Sequence, residues 1–187
     1  MSLTTLDPTA ALIVIDLQKG IVGLPLAHPA SEIVRQATRL ARAFRERRLP
    51  VVLVNVTAGA PGRTEAGPPG SSRPPDWAEL VPELERQPDD ILITKQRWGA
   101  FLGTPLDAEL RKRGVTQVFM TGIATTRGVE STARSAYELG YNVVLVVDAM
   151  TDRNADAHRG SIQHVFPSLG ETTTTDEVLR TLAELRV

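Results

Sequence analysis

Two kinds of segment alternate along this chain, and their alternation constrains the fold more than any other feature. The first kind is short, continuously apolar and rich in Val and Ile, which is typical of strands buried on both faces of a sheet. Five such runs occur, at 11–15, 51–54, 91–93, 118–120 and 143–147. The second kind is longer and repeats apolar residues at helical spacing, at 33–44, 129–140 and 178–185. The alternation predicts an α/β fold with a mainly parallel sheet and helices on both faces.

One stretch interrupts this rhythm. Residues 58–75 contain four glycines and five prolines within 18 residues. The stretch could be a linker between two domains, or a binding loop or lid within one domain. The alternation resumes after it and neither half is a complete α/β domain, so the sequence favours a loop. A length of 187 residues also fits one domain, and we expect a single domain over 1–187.

Composition excludes several classes of protein. The net charge of −1 lacks the basic excess of a general nucleic-acid or anionic-membrane binder. The chain has no cysteine, which excludes disulfides, thiolate metal sites and a cysteine nucleophile. No secretory signal, no apolar run of membrane-spanning length and no phosphate-binding fingerprint occurs, and the three histidines are scattered. We therefore expect a cytoplasmic protein without metal or cofactor, acting on a small molecule.

Polar residues directly after the apolar runs mark the expected site, because ligands of open parallel sheets bind beyond the carboxyl ends of the strands. Asp16 follows the first run and Lys95 follows the third. Asp16 could donate or accept a proton, or only cap a loop, and Lys95 could hold it ionised or form a surface ion pair. The strand-to-helix turn that begins at Gly122 could offer backbone N–H groups to an anion.

Together these residues resemble the isochorismatase-like (cysteine hydrolase) family. The matching segments, in the family's order, are Ile13-Val-Ile-Asp-Leu-Gln18, Thr94-Lys95, Trp98-Gly-Ala-Phe101, Gly122 to Arg134, Gly140-Tyr141, Asp148-Ala149 and Thr174 to Leu179. The resemblance implies a three-layer α/β/α sandwich with a six-stranded, mainly parallel, Rossmann-like sheet. It also implies a hydrolase that assembles as a homodimer or a higher homo-oligomer.

The resemblance further implies where the catalytic groups lie. Amidases of the family use an Asp–Lys–Cys triad, whose first two positions are Asp16 and Lys95 here. A cis peptide would fall between Ile123 and Ala124, so that the N–H groups of Ala124 and Gly128 form an oxyanion hole. Gly128 occupies the nucleophile's position, and without a thiol no covalent intermediate can form. Nicotinamidases of the family hold a metal with Asp and His residues after the second strand. Residues 55–60 contain neither, so a nicotinamidase is also excluded.

The glycine points to another branch of the family. Its true isochorismatases often replace the cysteine by glycine and cleave a vinyl ether by acid catalysis, releasing pyruvate. Asp16 would then be the acid, Lys95 would tune and orient it, and Gly128 would free space for substrate. The side chains expected to contact the ligand are Arg63, Arg97, Arg127, Trp98, Phe101 and Gln18, besides Ala124.

Two alternatives stay open at this stage. The chain could be a catalytically silent binding protein that kept its pocket, or a hydrolase of another small substrate in which Asp16 activates water as a base. Each arginine could equally lie on the surface, and each aromatic residue could serve packing alone.

Overall fold

The computed structural model describes residues 3–65 and 73–184, and its centre is a sheet of six parallel strands within that part of the chain. The strands are β1 (Ala10–Ile15), β2 (Val51–Val56), β3 (Ile91–Lys95), β4 (Gln117–Ile123), β5 (Asn142–Thr151) and β6 (Glu171–Thr173). Their order across the sheet is β3-β2-β1-β4-β5-β6. The predicted parallel α/β sheet is confirmed, and all five apolar runs lie within strands. The apolar pattern did not locate β6, because this short strand consists of polar residues.

Helices cover both faces of this sheet. They are α1 (Lys19–Val22), α2 (Ala30–Glu46), α3 (Leu106–Lys112), α4 (Glu130–Glu138), α5 (Ala155–Gly160) and α6 (Thr175–Glu184), with shorter turns at 82–84, 125–129, 161–165 and 166–168. Apolar residues of α2 and α6 pack with one set of strand side chains, and those of α3 and α4 pack with the opposite set. The three-layer α/β/α sandwich is therefore confirmed. None of the helices in the described ranges is long and apolar enough to cross a membrane.

The strand order settles how the segment at 58–75 connects the chain. It joins β2 to β3, which pair directly, with Val52 opposite Ile91. The segment therefore links neighbouring strands of one sheet, and a single domain over 1–187 stays a prediction. Residues 66–72 lie outside the described part of the chain, so a role for this loop as a lid stays a prediction.

The strand order reverses direction between β1 and β4, which are central to the sheet. Ligands of such sheets bind at this switch point, beyond the carboxyl ends of the strands. Gly122 allows β1 and β4 to meet closely there, since a Cβ atom added to it would lie 2.0 Å from the carbonyl oxygen of Ile15. Its φ of +118° also falls in a region that L side chains rarely adopt. The fold thus brings the end of β4 against the end of β1.

Candidate active site

Asp16 and Lys95 form a buried ion pair at the carboxyl end of the sheet. Lys95 is the last residue of β3, and its Nζ atom reaches past β2 to lie 2.7 Å from Oδ2 of Asp16. The two side chains are only 2% and 7% exposed. Lys95 also donates a hydrogen bond to the carbonyl oxygen of Arg97. The structure therefore brings together the two residues that the sequence singled out.

The backbone at Asp16 is in a conformation that is uncommon for its residue type. Its φ is +53°, in the left-handed region, where asparagine and aspartate are tolerated better than most other side chains. Its N–H donates to the carbonyl oxygen of Val54, and its own carbonyl accepts from the N–H of Gln18. The chain therefore turns sharply away from β1 at the residue that carries the carboxylate. Such backbone strain is concentrated at functional sites in proteins.

The carboxyl group of Asp16 is tuned by two opposing effects. Burial raises its pKa and the adjacent Lys95 lowers it, and burial is the larger effect, so that the pKa rises from 3.8 to about 6. Oδ2 accepts the hydrogen bond from Lys95, whereas Oδ1 is buried and has no hydrogen-bond partner among the described residues. A carboxyl with this pKa and one free oxygen can hold or accept a proton near neutral pH.

Gly128 lies against this carboxylate, in the turn at 125–129 that precedes α4. A Cβ atom added to it would lie 2.8 Å from Cγ2 of Ile15 and 3.2 Å from Oδ2 of Asp16. The end of β1 already fills the space at this Cβ position, and a role of Gly128 in freeing space for substrate stays a prediction. The glycine allows the backbone of the turn to approach Asp16 closely.

The same turn offers two backbone N–H groups. The peptide bond between Ile123 and Ala124 is cis. Neither the N–H of Ala124 nor that of Gly128 donates a hydrogen bond to a described residue outside the turn at 125–129. N–H donors placed beside a buried carboxyl in this way fit an oxyanion-binding arrangement. Their role in a reaction stays a prediction.

Sequence reasoning missed Asp152, which holds the outer side of this turn. Its Oδ2 accepts hydrogen bonds from both the N–H and the hydroxyl of Thr126, and its Oδ1 accepts from the N–H of Arg153. Burial acts to raise its pKa, but these hydrogen bonds outweigh burial and hold the pKa below its ordinary value. The apolar run ends at 147, whereas β5 continues to Thr151, so Asp152 rather than Asp148 follows the strand.

Asp148, which directly follows the apolar run at 143–147, contacts the start of α6. Its Oδ1 accepts hydrogen bonds from the N–H and the hydroxyl of Thr175, at the start of α6. It therefore fixes a helix rather than facing the ligand.

Two histidines that looked scattered in the sequence meet behind the turn. The rings of His28 and His158 lie 4.9 Å apart, and Nδ1 of His158 lies 2.8 Å from the hydroxyl of Thr125. His28 makes the corresponding contact with Thr151, also at 2.8 Å. His158 is buried, as are both threonines. The long separation of the two histidines in the sequence gave no signal of this cluster.

The predicted ligand contacts differ in where the structure places them. Arg127 and Trp98 are exposed beside the site, with the guanidinium carbon 5.5 Å from the centre of the Trp98 rings. Arg97 is exposed and its side chain lies against Gly103, so it contributes its carbonyl to Lys95 rather than its charge. Arg63 is exposed on the loop after β2, and no described contact brings it to Asp16.

Phe101 and Gln18 are used by the fold itself. Phe101 belongs to the core under α3 and α4, with its ring 5.9 Å from that of Tyr141. Gln18 is fully buried; its amide nitrogen donates to two carbonyl oxygens, and its amide oxygen accepts from the N–H of Val56. We therefore assign both side chains to structure and not to ligand contact, against the sequence-based expectation.

The described residues offer no cluster of metal ligands. Within 3–65 and 73–184, no group of three or more His, Asp or Glu side chains is placed to hold a metal ion. The absence of a metal in the functional protein stays a prediction.

Comparison with known proteins gives a consistent set of similarities. The family model described as the Isochorismatase domain matches residues 10–177. The chain is 42% identical over 176 residues to the isochorismatase family protein YwoC of Bacillus subtilis, covering 90% of this chain and 92% of the relative. It is 31% identical over 210 residues to the ureidoacrylate amidohydrolase RutB of Variovorax paradoxus, covering 93% and 81%. A solved structure of an isochorismatase family protein from Burkholderia thailandensis superposes with a TM-score of 0.92 at 44% identity, covering 96% and 98%.

Proposed function

Because the chain belongs to the isochorismatase family, we propose that it is a hydrolase that cleaves a small, carboxylate-bearing vinyl ether of the isochorismate type. The reaction class agrees with relatives such as the amidohydrolase RutB. The observation that carries the proposal is the free, buried Oδ1 of Asp16 beside a glycine where a nucleophile would stand. This site offers a proton and no thiol.

Asp16 acts as the general acid in this mechanism. Its proton goes to the terminal CH2 carbon of the vinyl ether, which forms a new C–H bond and leaves an oxocarbenium ion at the ether-bearing carbon. Water adds to that carbon and loses a proton to the aspartate. This proton restores the acid form of Asp16. The bond between the hemiketal carbon and the ring oxygen then breaks, the hydroxyl proton of the hemiketal passes to the ring oxygen, and pyruvate and a ring alcohol are released.

Lys95 supports this step without touching the substrate. Its Nζ atom, 2.7 Å from Oδ2, fixes the orientation of the carboxyl so that Oδ1 is the oxygen that exchanges the proton. Once Asp16 has given up its proton, the carboxylate stands beside an opposite charge, which stabilises the ionised state. The same charge lowers the fraction of Asp16 that is protonated before the reaction. The pKa near 6 is the balance between these effects.

The turn and the nearby arginines supply groups for an anionic substrate. The N–H groups of Ala124 and Gly128 can donate to a carboxylate or to the hemiketal oxygen. Arg127 and Arg153 line a cavity of about 390 Å3 next to the turn, together with Asp152, and Asp16 is not among the residues that line it. Neither arginine has a carboxylate partner among the described residues, so both can receive a ligand carboxylate. Trp98 offers its exposed ring to an apolar part of the ligand.

A second candidate is a hydrolase in which ionised Asp16 activates water as a general base. The observation that favours it is the same pKa: with a value near 6, only about one molecule in ten carries the proton on Asp16 at pH 7. The two functions predict opposite pH dependence. Acid catalysis by Asp16 loses rate above pH 6, and base catalysis gains rate through the same range.

The test is pyruvate release from isochorismate by wild type, Asp16→Asn and Asp176→Asn, measured between pH 5 and 8. Asparagine tolerates the left-handed backbone at position 16, so this variant removes the proton without forcing the turn to change. Asp176, an exposed residue on α6, provides the matched control. We expect release that is lost only in Asp16→Asn and that declines above pH 6. Release that rises with pH would favour the base mechanism, and ligand binding without release would identify a silent binding protein.

A further inference from the structure

Two side chains hold the turn that carries the N–H groups of Ala124 and Gly128. Thr125 directly follows Ala124, is fully buried, and is held by Nδ1 of His158. The next residue, Thr126, is held through its N–H and its hydroxyl by Asp152. Of these two anchors, only the histidine changes its charge close to neutral pH.

The surroundings of His158 disfavour its charged form. Its ring is 6% exposed and lies 4.9 Å from that of His28, at an angle of 60°. The charged or titratable groups that face it are His28, Asp152 and Arg159. Burial is the largest influence and, together with His28 and Arg159, lowers its pKa; Asp152 acts in the opposite direction and does not reverse the shift.

Protonation also reverses the hydrogen bond between His158 and Thr125. We assign the proton of the neutral ring to Nε2, so that Nδ1 accepts the hydroxyl proton of Thr125. A protonated ring donates from both nitrogens, so the hydroxyl must turn its proton elsewhere. The bond to His158 is the only one that this hydroxyl makes among the described residues. Charging His158 therefore leaves a buried hydroxyl proton without an acceptor, which disfavours the present position of Thr125.

We propose that neutral His158 is a positioning residue that anchors Thr125 and thereby holds the turn carrying the N–H groups of Ala124 and Gly128. Protonation of His158 loosens this anchor, so the turn and its affinity for an anionic ligand respond to pH. The inference rests on the proposed function only in placing the ligand at this turn. It applies whether Asp16 acts as an acid or as a base.

The turn can be observed directly, without any substrate. The chain has three histidines and 14 glycines, so NMR can follow the ring signals of His28, His158 and His164 together with the amide signal of Gly128. In Asp16→Asn, where the carboxyl group next to Gly128 no longer titrates, we expect the Gly128 amide to shift with the same midpoint as the His158 ring. The exposed His164 is the control, and His164→Asn should leave this coupled shift intact. A Gly128 amide that does not follow the His158 titration would overturn the proposal.

Two substitutions of His158 separate positioning from packing. The amide of Asn lies near the place of Nδ1 and can bond Thr125, but it does not titrate. We expect His158→Asn to keep the turn of wild type at pH 7 and to lose the part of the Gly128 shift that follows His158, while the part that follows the adjacent Asp16 remains. His158→Ala should change the Gly128 signal at every pH. If the alanine variant fails to fold, Thr125→Val removes the same hydrogen bond from the other side. Equal pH dependence of the Gly128 signal in wild type and His158→Asn would contradict the proposal.

A functional measurement then connects the turn to ligand binding. With isochorismate as probe, KM for wild type should rise below the midpoint of His158, and His158→Asn should remove this rise while leaving the pH dependence of kcat that Asp16 produces. An inactive enzyme whose Gly128 amide still follows His158 would refute the proposed reaction and leave the positioning role standing. An active enzyme whose KM shows the same rise in both proteins would refute the positioning role alone.

Discussion

Replacing Lys95 by methionine removes the ammonium group beside Asp16 and keeps a side chain of similar length. The ammonium nitrogen lies 2.7 Å from Oδ2 of Asp16. With an effective dielectric constant of ~20, two unit charges at this distance interact by about 6 kcal/mol, which corresponds to roughly four pKa units as a ceiling. Since Lys95 lowers the pKa of Asp16, we expect Lys95→Met to raise it from about 6 by roughly two units or more.

This shift appears in stability, because a buried acid with a raised pKa keeps a proton that the unfolded chain releases. The contribution of such a group is lost as pH rises from the unfolded pKa to the folded one, by about 1.4 kcal/mol per pH unit. In wild type the loss ends near pH 6, where Asp16 itself ionises. In Lys95→Met it continues upward. Between pH 6 and pH 8 the variant should therefore lose about 2 kcal/mol of unfolding free energy that wild type retains.

Urea unfolding at several pH values between 5.5 and 8 provides the measurement. The reference is the double variant Asp16→Asn/Lys95→Met, which has no titrating group at the pair and shares every other titrating group. The difference in unfolding free energy between the single and the double variant should fall steadily with pH. A difference that stays constant from pH 5.5 to pH 8 would refute the reasoning, since Asp16 would then hold no proton in this range.

Three further predictions concern the residues around the pair. Gly128→Ala should lower the free energy of unfolding by about 1–3 kcal/mol, because its Cβ meets Cγ2 of Ile15 at 2.8 Å. The control is Gly59→Ala, since no atom lies within 4 Å of a Cβ at that position. Equal stability of the two variants in urea would contradict the steric argument. Gln18→Leu should cost about 2–4 kcal/mol, because three hydrogen bonds to buried backbone are lost, and thermal unfolding close to that of wild type would argue against this role. Asp152→Asn should lower the free energy of unfolding by about 1–3 kcal/mol at pH 7. This loss should become smaller as pH falls through the lowered pKa of Asp152, because the carboxylate stabilises the fold only while it is ionised. The same loss at pH 3 and pH 7 would show that the charge of Asp152 does not contribute.

The part of the site that the sequence predicted is the part that follows directly from the strands. Asp16 and Lys95 each come at or just after a continuous apolar run, and the carboxyl ends of parallel strands share one edge of the sheet. Their meeting could be expected from this rule alone. Which oxygen of Asp16 is free, and how closely Gly128 approaches it, depends on side-chain packing that a pattern of apolar residues does not record.

The groups that were missed depend on irregular structure. Asp152 was overlooked because β5 passes through polar Asp148 and shifts register against β4 between Met120 and Gly122. The contact between His28 and His158 joins a loop before α2 to α5, and no local periodicity indicates it. Phe101 appeared as a pocket wall since it follows Trp98 closely, yet only Trp98 is exposed. Local sequence identified the strands, whereas tertiary packing decided these contacts.

The central position of β1 has a consequence for co-translational folding. Every residue of β1 is fully buried in the finished sheet, with β2 along one edge and β4 along the other. The partner on the β4 side is synthesised roughly a hundred residues later, which at ~5–20 residues per second means an interval on the order of 5–20 seconds. During this interval the edge of β1 that later pairs with β4 has no partner in the nascent chain. An apolar strand with an unpaired hydrogen-bonding edge is a template for aggregation. A central position for the strand that leads into Asp16 thus brings a demand for chaperone protection during translation.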